Sequence, residues 1–384
     1  MNLGGDRVAI ASTELGLRLL ATTVCQAPGR NTMLSAIGPF QALALLSVLG
    51  TDTARREIRT ALKIGGICDE PLQEMCSRLP QRITETDSGA DLTFATALWA
   101  GRDFTPDSAL GALCRHWGID LIGGEAMTAE AMHEWARLNT RGLLPLIAGM
   151  PPNNGANMTN ALYFQGEWQS PFKASATQER PFYRIGGGPK RVPLMRHPEH
   201  HGVRLYRSAA FDAARIPYAG DEDGLALHVL LPHRNPIDAM TGRDYLAPFV
   251  AQFTMRDLEA CQSGYEEAVV DLILPRFRFQ SASDLRSRLI QLGIRDAFDT
   301  RSVRKSSVPA ISSLLQQSHI AVNEVGTTAT ALTACTLELT GPADSAPPRP
   351  RIQKFYANRP FLFLLTNDAC GLVLFAGVVY DPSQ

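Results

Sequence analysis

Three imidazoles and a carboxylate fall within HPEHH, His197 to His201, and these side-chain types can hold a transition metal. The run is local, Pro198 interrupts it and no distant ligand completes a closed site, so it reads as a solvated loop and no metal centre is expected. Arg55, Arg56, Arg59 and Lys63 could line one helix face for a polyanion, but Asp52 and Glu57 sit among them, and a solvated face is the simpler reading. No GxSxG elbow, HExxH pair or GxxxxGKS/T loop occurs. No residue is therefore given a catalytic role, no cofactor is expected, and the chain is not read as an enzyme. The seven cysteines are scattered, odd in number and without a CxxC pair, which argues against a disulfide framework and for a reducing compartment.

A different chemistry is suggested by NEVGTTATALTACT, Asn323 to Thr336. It carries Glu324 near its start and no further charge until Glu338. Thr and Ala are too small to drive burial alone, and the stretch is too short and polar to cross a membrane. Neither core burial nor a membrane span therefore accounts for it.

The elements around these residues follow from composition and periodicity. A hydrophobic fraction of 45%, a charged fraction of 20% and a net charge of -1 are ordinary for a globular chain and give no bulk attraction to nucleic acid or anionic membrane. The N-terminal MNLGGDRVAI does not read as a secretory signal, so a cytoplasmic protein is expected, with leaderless release to the extracellular space left open. Ala11, Leu15 and Leu19 recur at helical spacing, as do Ile58 and Leu62 behind a candidate cap at Thr53. Met132 and Trp135 share a helix face that Gly142 would end. MTNALYF, LALHVLLP and EAVVDLILPRF are strand-like, and PFLFLLTNDACGLVLFAGVV reads as two buried strands joined by a turn at Thr366 to Asp368. Helices come first and strands later, an α+β order in one compact unit.

From Ile311 to Ala334, ISSLLQQSHIAVNEVGTTATALTA resembles the hinge of the serpin family. NTMLSAIGPFQALALLSVLG, MTNALYFQGEWQSPF, VPLM, IPYAG, FYANRPFLFLL and LFAGVVYDP resemble further family signatures, in order along almost the whole chain. The resemblance implies one α+β domain over residues 1–384, with three β-sheets, about nine helices and an exposed reactive-centre loop at about 325–351. It also implies a protease inhibitor, expected to be monomeric, whose loop inserts into a sheet after cleavage. The partner is then a target protease, a serine protease of elastase-like or chymotrypsin-like type or else a cysteine protease. A non-inhibitory carrier or chaperone is the alternative, and the Pro-rich segment is a further candidate for docking a partner.

By the same resemblance Glu324, Gly326, Thr327, Ala329 and Ala331 form the hinge, Gly326 serving as its pivot. Arg276 is the expected partner of Glu324, with Trp168 an aromatic lid beside them. Ser35, Asn160 and Gln316 correspond to a polar cluster that governs sheet opening. Here Gln316 replaces the usual His, Gly38 a usual Ser and Ala36 a usual Pro, and His319 is read as an ordinary strand side chain. Counting about fourteen residues on from Gly326 puts the bait bond at Thr340-Gly341, with Leu339 its nearest competitor. Thr suits an elastase-like pocket and Leu a chymotrypsin-like one. The following PADSAPPRPRIQK is longer than the family's usual connection and offers Arg351-Ile352. Cleavage there would leave about 35 Å of slack strand, so Arg351 is expected to be a substrate site.

Overall fold

In a computed structural model of the chain, the described residues are 7–84, 90–101, 106–123, 128–142, 156–220, 224–234, 241–299, 311–327 and 351–384. They form an α+β structure with three sheets. The six-stranded sheet runs, in spatial order, β12 (Phe277–Asp284), β13 (Ile311–Val322), β14 (Gly326–Thr327), β4 (Ala156–Glu167), β2 (Asp91–Ala100) and β3 (Ile119–Gly123). A seven-stranded sheet runs β1 (Thr32–Leu34), β17 (Leu372–Val379), β16 (Phe361–Asn367), β9 (Leu225–Pro232), β8 (Phe211–Pro217), β7 (Arg204–Arg207) and β10 (Glu266–Glu267). The third sheet has β15 (Gln353–Tyr356), β11 (Val270–Pro275), β6 (Pro189–His200) and β5 (Gln178–Tyr183).

The unbroken apolar run of the C-terminal hairpin follows from its place in the layers. Helix Arg7–Gln26 packs on β17, while Phe363 of β16 meets Phe277 and Phe279 of β12 at ring distances of 5.8 and 6.4 Å. Every residue of both hairpin strands is buried, so neither face alternates with polar residues. Helix Arg7–Gln26 is, among the described residues, the one helix long and apolar enough to cross a membrane, and 67% of its most apolar stretch is buried within the protein.

Helix Ala129–Asn139 buries Met132 and Trp135 and turns out through Gly142, whose φ of +77° lets its N–H reach the Arg137 carbonyl at 2.8 Å. The cap of helix Asp52–Ala61 is Thr51 rather than Thr53. Thr51 has the extended backbone that capping requires, and its hydroxyl accepts from Ala54 N at 3.1 Å.

HPEHH is also not a loop. His197 and His200 lie within β6, paired with Leu272 and Val270 across a bulge. The extra residue between them turns both imidazoles to one side, with ring centroids 4.7 Å apart, and His200 is fully buried. Among the described residues no group of three or more His, Cys, Asp or Glu side chains could hold a metal ion. The basic helix face is internally paired: Arg55 and Arg59 both meet Asp69, and Lys63 meets Glu14.

Candidate functional site

The six-stranded sheet is parted at one end. From Ile311 to Gln317, β13 pairs directly and in parallel with residues Ala156 to Ala161 of β4. Beyond that the two strands diverge, and the two residues of β14 stand between them, Thr327 opposite both Val322 and Gly166 and Gly326 opposite Glu167. β14 is antiparallel to both neighbours.

Asn323 makes the reversal. Its side-chain oxygen accepts from Val325 N at 2.9 Å and Gly326 N at 3.2 Å, while its own N–H donates to the Gly326 carbonyl at 2.9 Å. An Asn side chain closing such a turn on the backbone two residues ahead is the usual chemistry of these residues. Gly326 is needed for closeness rather than for a left-handed backbone. A Cβ there would lie 2.0 Å from the Gly166 carbonyl oxygen.

Glu324, next along the turn, is buried. Its Oε1 accepts from Arg276 and from the Thr177 hydroxyl, and its carbonyl accepts from Phe172 N at 2.9 Å. Burial pushes the carboxyl up, but the Arg276 and Thr177 hydrogen bonds outweigh it and hold Glu324 below its ordinary value. Trp168 clasps the same turn with two donors, its indole N–H to the Asn323 carbonyl and its backbone N–H to Val325, each at 2.8 Å. The indole stacks on Tyr218 at 4.6 Å, and the Tyr218 hydroxyl lies 2.6 Å from Thr327 Oγ1. Thr327 is 1% exposed, so the hinge begins inside the sheet.

The structure divides the expected opening cluster into two networks. Gln316 makes a reciprocal pair with the main chain of Ser35: its Oε1 accepts from Ser35 N at 3.2 Å and its Nε2 donates to the Ser35 carbonyl. Asn160 lies opposite Gln316 in the β13–β4 register, yet its amide donates to Thr96 Oγ1 at 3.0 Å. Thr96 donates in turn to Gln41, whose amide donates to the Trp117 carbonyl. Gly38 explains the geometry, since a Cβ there would sit 2.4 Å from Asn160 Cγ. The Asn160 side chain occupies the place that a larger residue at 38 would fill. His319 stands on β13 opposite Gln280, its imidazole pushed down by burial and secondarily by Arg278.

Ala329, Ala331, Leu339, Thr340 and Gly341 lie outside the described residues. Arg351 is exposed just before β15. Asn323, Thr177, Tyr218, Thr96 and Gln41 join the networks without having been singled out in the sequence. Asn323 three residues before Gly326 is a readable turn signal and Tyr218 stands within IPYAG, but Thr177 carries no local signal.

The sequence matches the family model described as Serpin (serine protease inhibitor) over residues 10–382. It is 24% identical over 394 residues to plasminogen activator inhibitor 1 of Neovison vison, covering 98% of this chain and 93% of that one. To the leukocyte elastase inhibitor of Equus caballus it is 25% identical, covering 98% and 100%. The crystal structure of the thermophilic serpin tengpin in its native state superimposes with a TM-score of 0.82 at 20% identity, covering 97% of this chain and 94% of that chain.

Proposed function

The chain belongs to the serpin family, and from that premise we propose that it inhibits a protease by acting as its suicide substrate. The observation that carries the reading is β14, seated between β13 and β4 with a backbone already antiparallel to both. In the proposed sequence of events, a protease nucleophile adds to the Thr340 carbonyl carbon. The Gly341 amine leaves with a proton, and an acyl-enzyme remains on the cut loop. The freed strand then extends β14 between β13 and β4, carrying the bound enzyme roughly 45 Å for about fourteen inserted residues. Deacylation is outrun when this movement pulls the enzyme's catalytic groups out of register.

The segment's chemistry supports the reading. Val325 through Leu337 carry no charge, and small Thr and Ala side chains pass between strands at little desolvation cost. Thr340 favours a serine protease with an elastase-like pocket, Leu339 one with a chymotrypsin-like pocket, and a cysteine protease can form the same acyl intermediate.

The test is incubation with elastase-like, chymotrypsin-like and papain-like proteases, followed by denaturing gels and mass spectrometry. A denaturant-stable complex with the enzyme esterified at Thr340 is expected. Clean cleavage of the loop by every protease, with full enzyme activity retained, would overturn inhibition in favour of a binding role.

A further inference from the structure

On the turn between β5 and β6, away from the parted sheet, Gly186 has a φ of +68° and packs against Gly242, which has a φ of +67° and opens the segment leading to helix Leu246–Gln252. A Cβ on Gly242 would lie 2.9 Å from Gly186 Cα, so the two turns meet at a distance only glycine permits. Beside their contact lies an open cleft of about 300 Å³ lined by Arg184, Arg234 and Arg243 from three separate segments, with Thr241 and residues Gly186 to Gly188 completing the wall.

Of the carboxylates near this cleft, Asp244 is engaged elsewhere and Asp381 already pairs with Arg184 of the cleft wall. Asp244 accepts from Leu246 N, Ala247 N and the Tyr380 hydroxyl, and Asp381 takes Arg184 at 3.2 Å and Lys190 at 3.4 Å. Arg234 and Arg243 have no hydrogen-bond or ion-pair partner among the described residues. A fourth cation lies behind them: burial lowers the Arg359 guanidinium from its usual value, and the charge of Arg234 acts in the same direction. A cleft with several guanidiniums and one shared carboxylate carries a positive potential that an anion would relieve, and guanidinium forks match the oxygens of phosphate.

We propose that this cleft binds a soluble, multiply charged oxyanion of the phosphate or pyrophosphate class. Such a ligand would bridge the β5–β6 turn to the 241–245 segment through Arg184, Arg234 and Arg243. The site is independent of the loop and of the inhibitory reading.

Inorganic pyrophosphate, titrated calorimetrically into the full chain at constant ionic strength, tests it. Saturable binding is expected, and Arg234→Ala/Arg243→Ala should weaken it at least about tenfold, as loss of two charge-assisted hydrogen bonds requires. Both side chains are exposed, so the variant's melting temperature without ligand should match the parent's. Arg56→Ala, on the surface helix Asp52–Ala61, should bind as the parent does. Absence of saturation in the parent, equal affinity in the double variant, or binding only to phosphate-bearing vesicles and not to free pyrophosphate would overturn the proposal.

Discussion

Thr327 places a hydroxyl in a space enclosed by Tyr218 and the diverging ends of β4 and β13. The sequence leads one to expect burial of this side chain as an early event of insertion; the structure has it buried before any cleavage. An Arg at this position would need its cation desolvated without a partner, at several kcal/mol after relaxation. Thr327→Arg should therefore still be cut at Thr340-Gly341 but released as spent substrate. Counting inhibitor molecules consumed per protease inactivated checks this, and trapping at the parent's efficiency would remove Thr327 from the inserting segment. Gly326 beside it shows what residue type alone conceals. Its glycine was expected for a pivoting backbone, whereas the strand is pressed against Gly166 and leaves no room for a side chain.

Among the elements, β13 carries two separable functions, a latch at Gln316 and a turn at Asn323. Gln316→Ala would leave the buried N–H and carbonyl of Ser35 without their partner at about 1 to 3 kcal/mol. Conversion to a latent or polymeric form on warming should accelerate, and an unchanged rate would mean that Gln316 does not restrain the sheet. The order of elements and the apolar C-terminal hairpin were legible in the sequence because burial on two faces leaves an uninterrupted pattern. The side-chain networks were not. Gln316 finds a main-chain partner, and Asn160 turns toward Thr96 because Gly38 leaves it space; both depend on how closely helix Ile37–Leu49 approaches the sheet. The bulge in β6 was hidden for the same reason, as a local string of histidines does not disclose which face each will take.

That bulge gives the element a pH dependence. Burial, and then the neighbouring His197 charge, lower His200 from the ordinary imidazole value of 6.5 to about 4, against the backbone hydrogen bonds of His201 and Ser170, which raise it. Lys173 and His201 add like charge around His197. The unfolded chain therefore binds more protons in this window. His200 contributes stability that is fully present above pH 6.5 and is lost as pH falls toward 4, on the order of 3 kcal/mol. Carboxylates titrate nearby, so the measurement is the difference between parent and His200→Met in melting temperature from pH 7 to 4. The variant should lose less on acidification, and parallel curves would contradict the buried neutral imidazole.

For the molecule as a whole, the parallel contact between β13 and β4 is what insertion would exchange. A strand entering there replaces one parallel ladder with two antiparallel ones, which are somewhat more stable per residue. On the proposed mechanism the intact chain would be a kinetically held form. Cleaving the loop with a protease that is not trapped should raise the melting temperature sharply, as a calorimetric scan of intact and cut protein would read. Equal melting temperatures would rule out insertion.

β14 also sets a measure of length. Because it is antiparallel to β4, insertion that kept the register of Thr327 and Gly166 would bring Leu337 opposite Ala156, the first residue of β4. On the other side, the same insertion continued from the pairing of Thr327 with Val322 would bring Glu338 opposite Ile311, the first residue of β13. The uncharged run from Val325 ends at Leu337. On insertion the two strands would act as a gauge for the loop, whose first charge comes where that gauge would run out. A cation at Thr333 would be stranded within the gauge and one at Glu338 would reach its edge, so Thr333→Lys should abolish covalent complex while Glu338→Lys retains it. Equal trapping by both on a denaturing gel would mean that the loop stops short of this mark. A protease coupled at Thr340 would come to rest just past the last rung, its final position fixed by strand length.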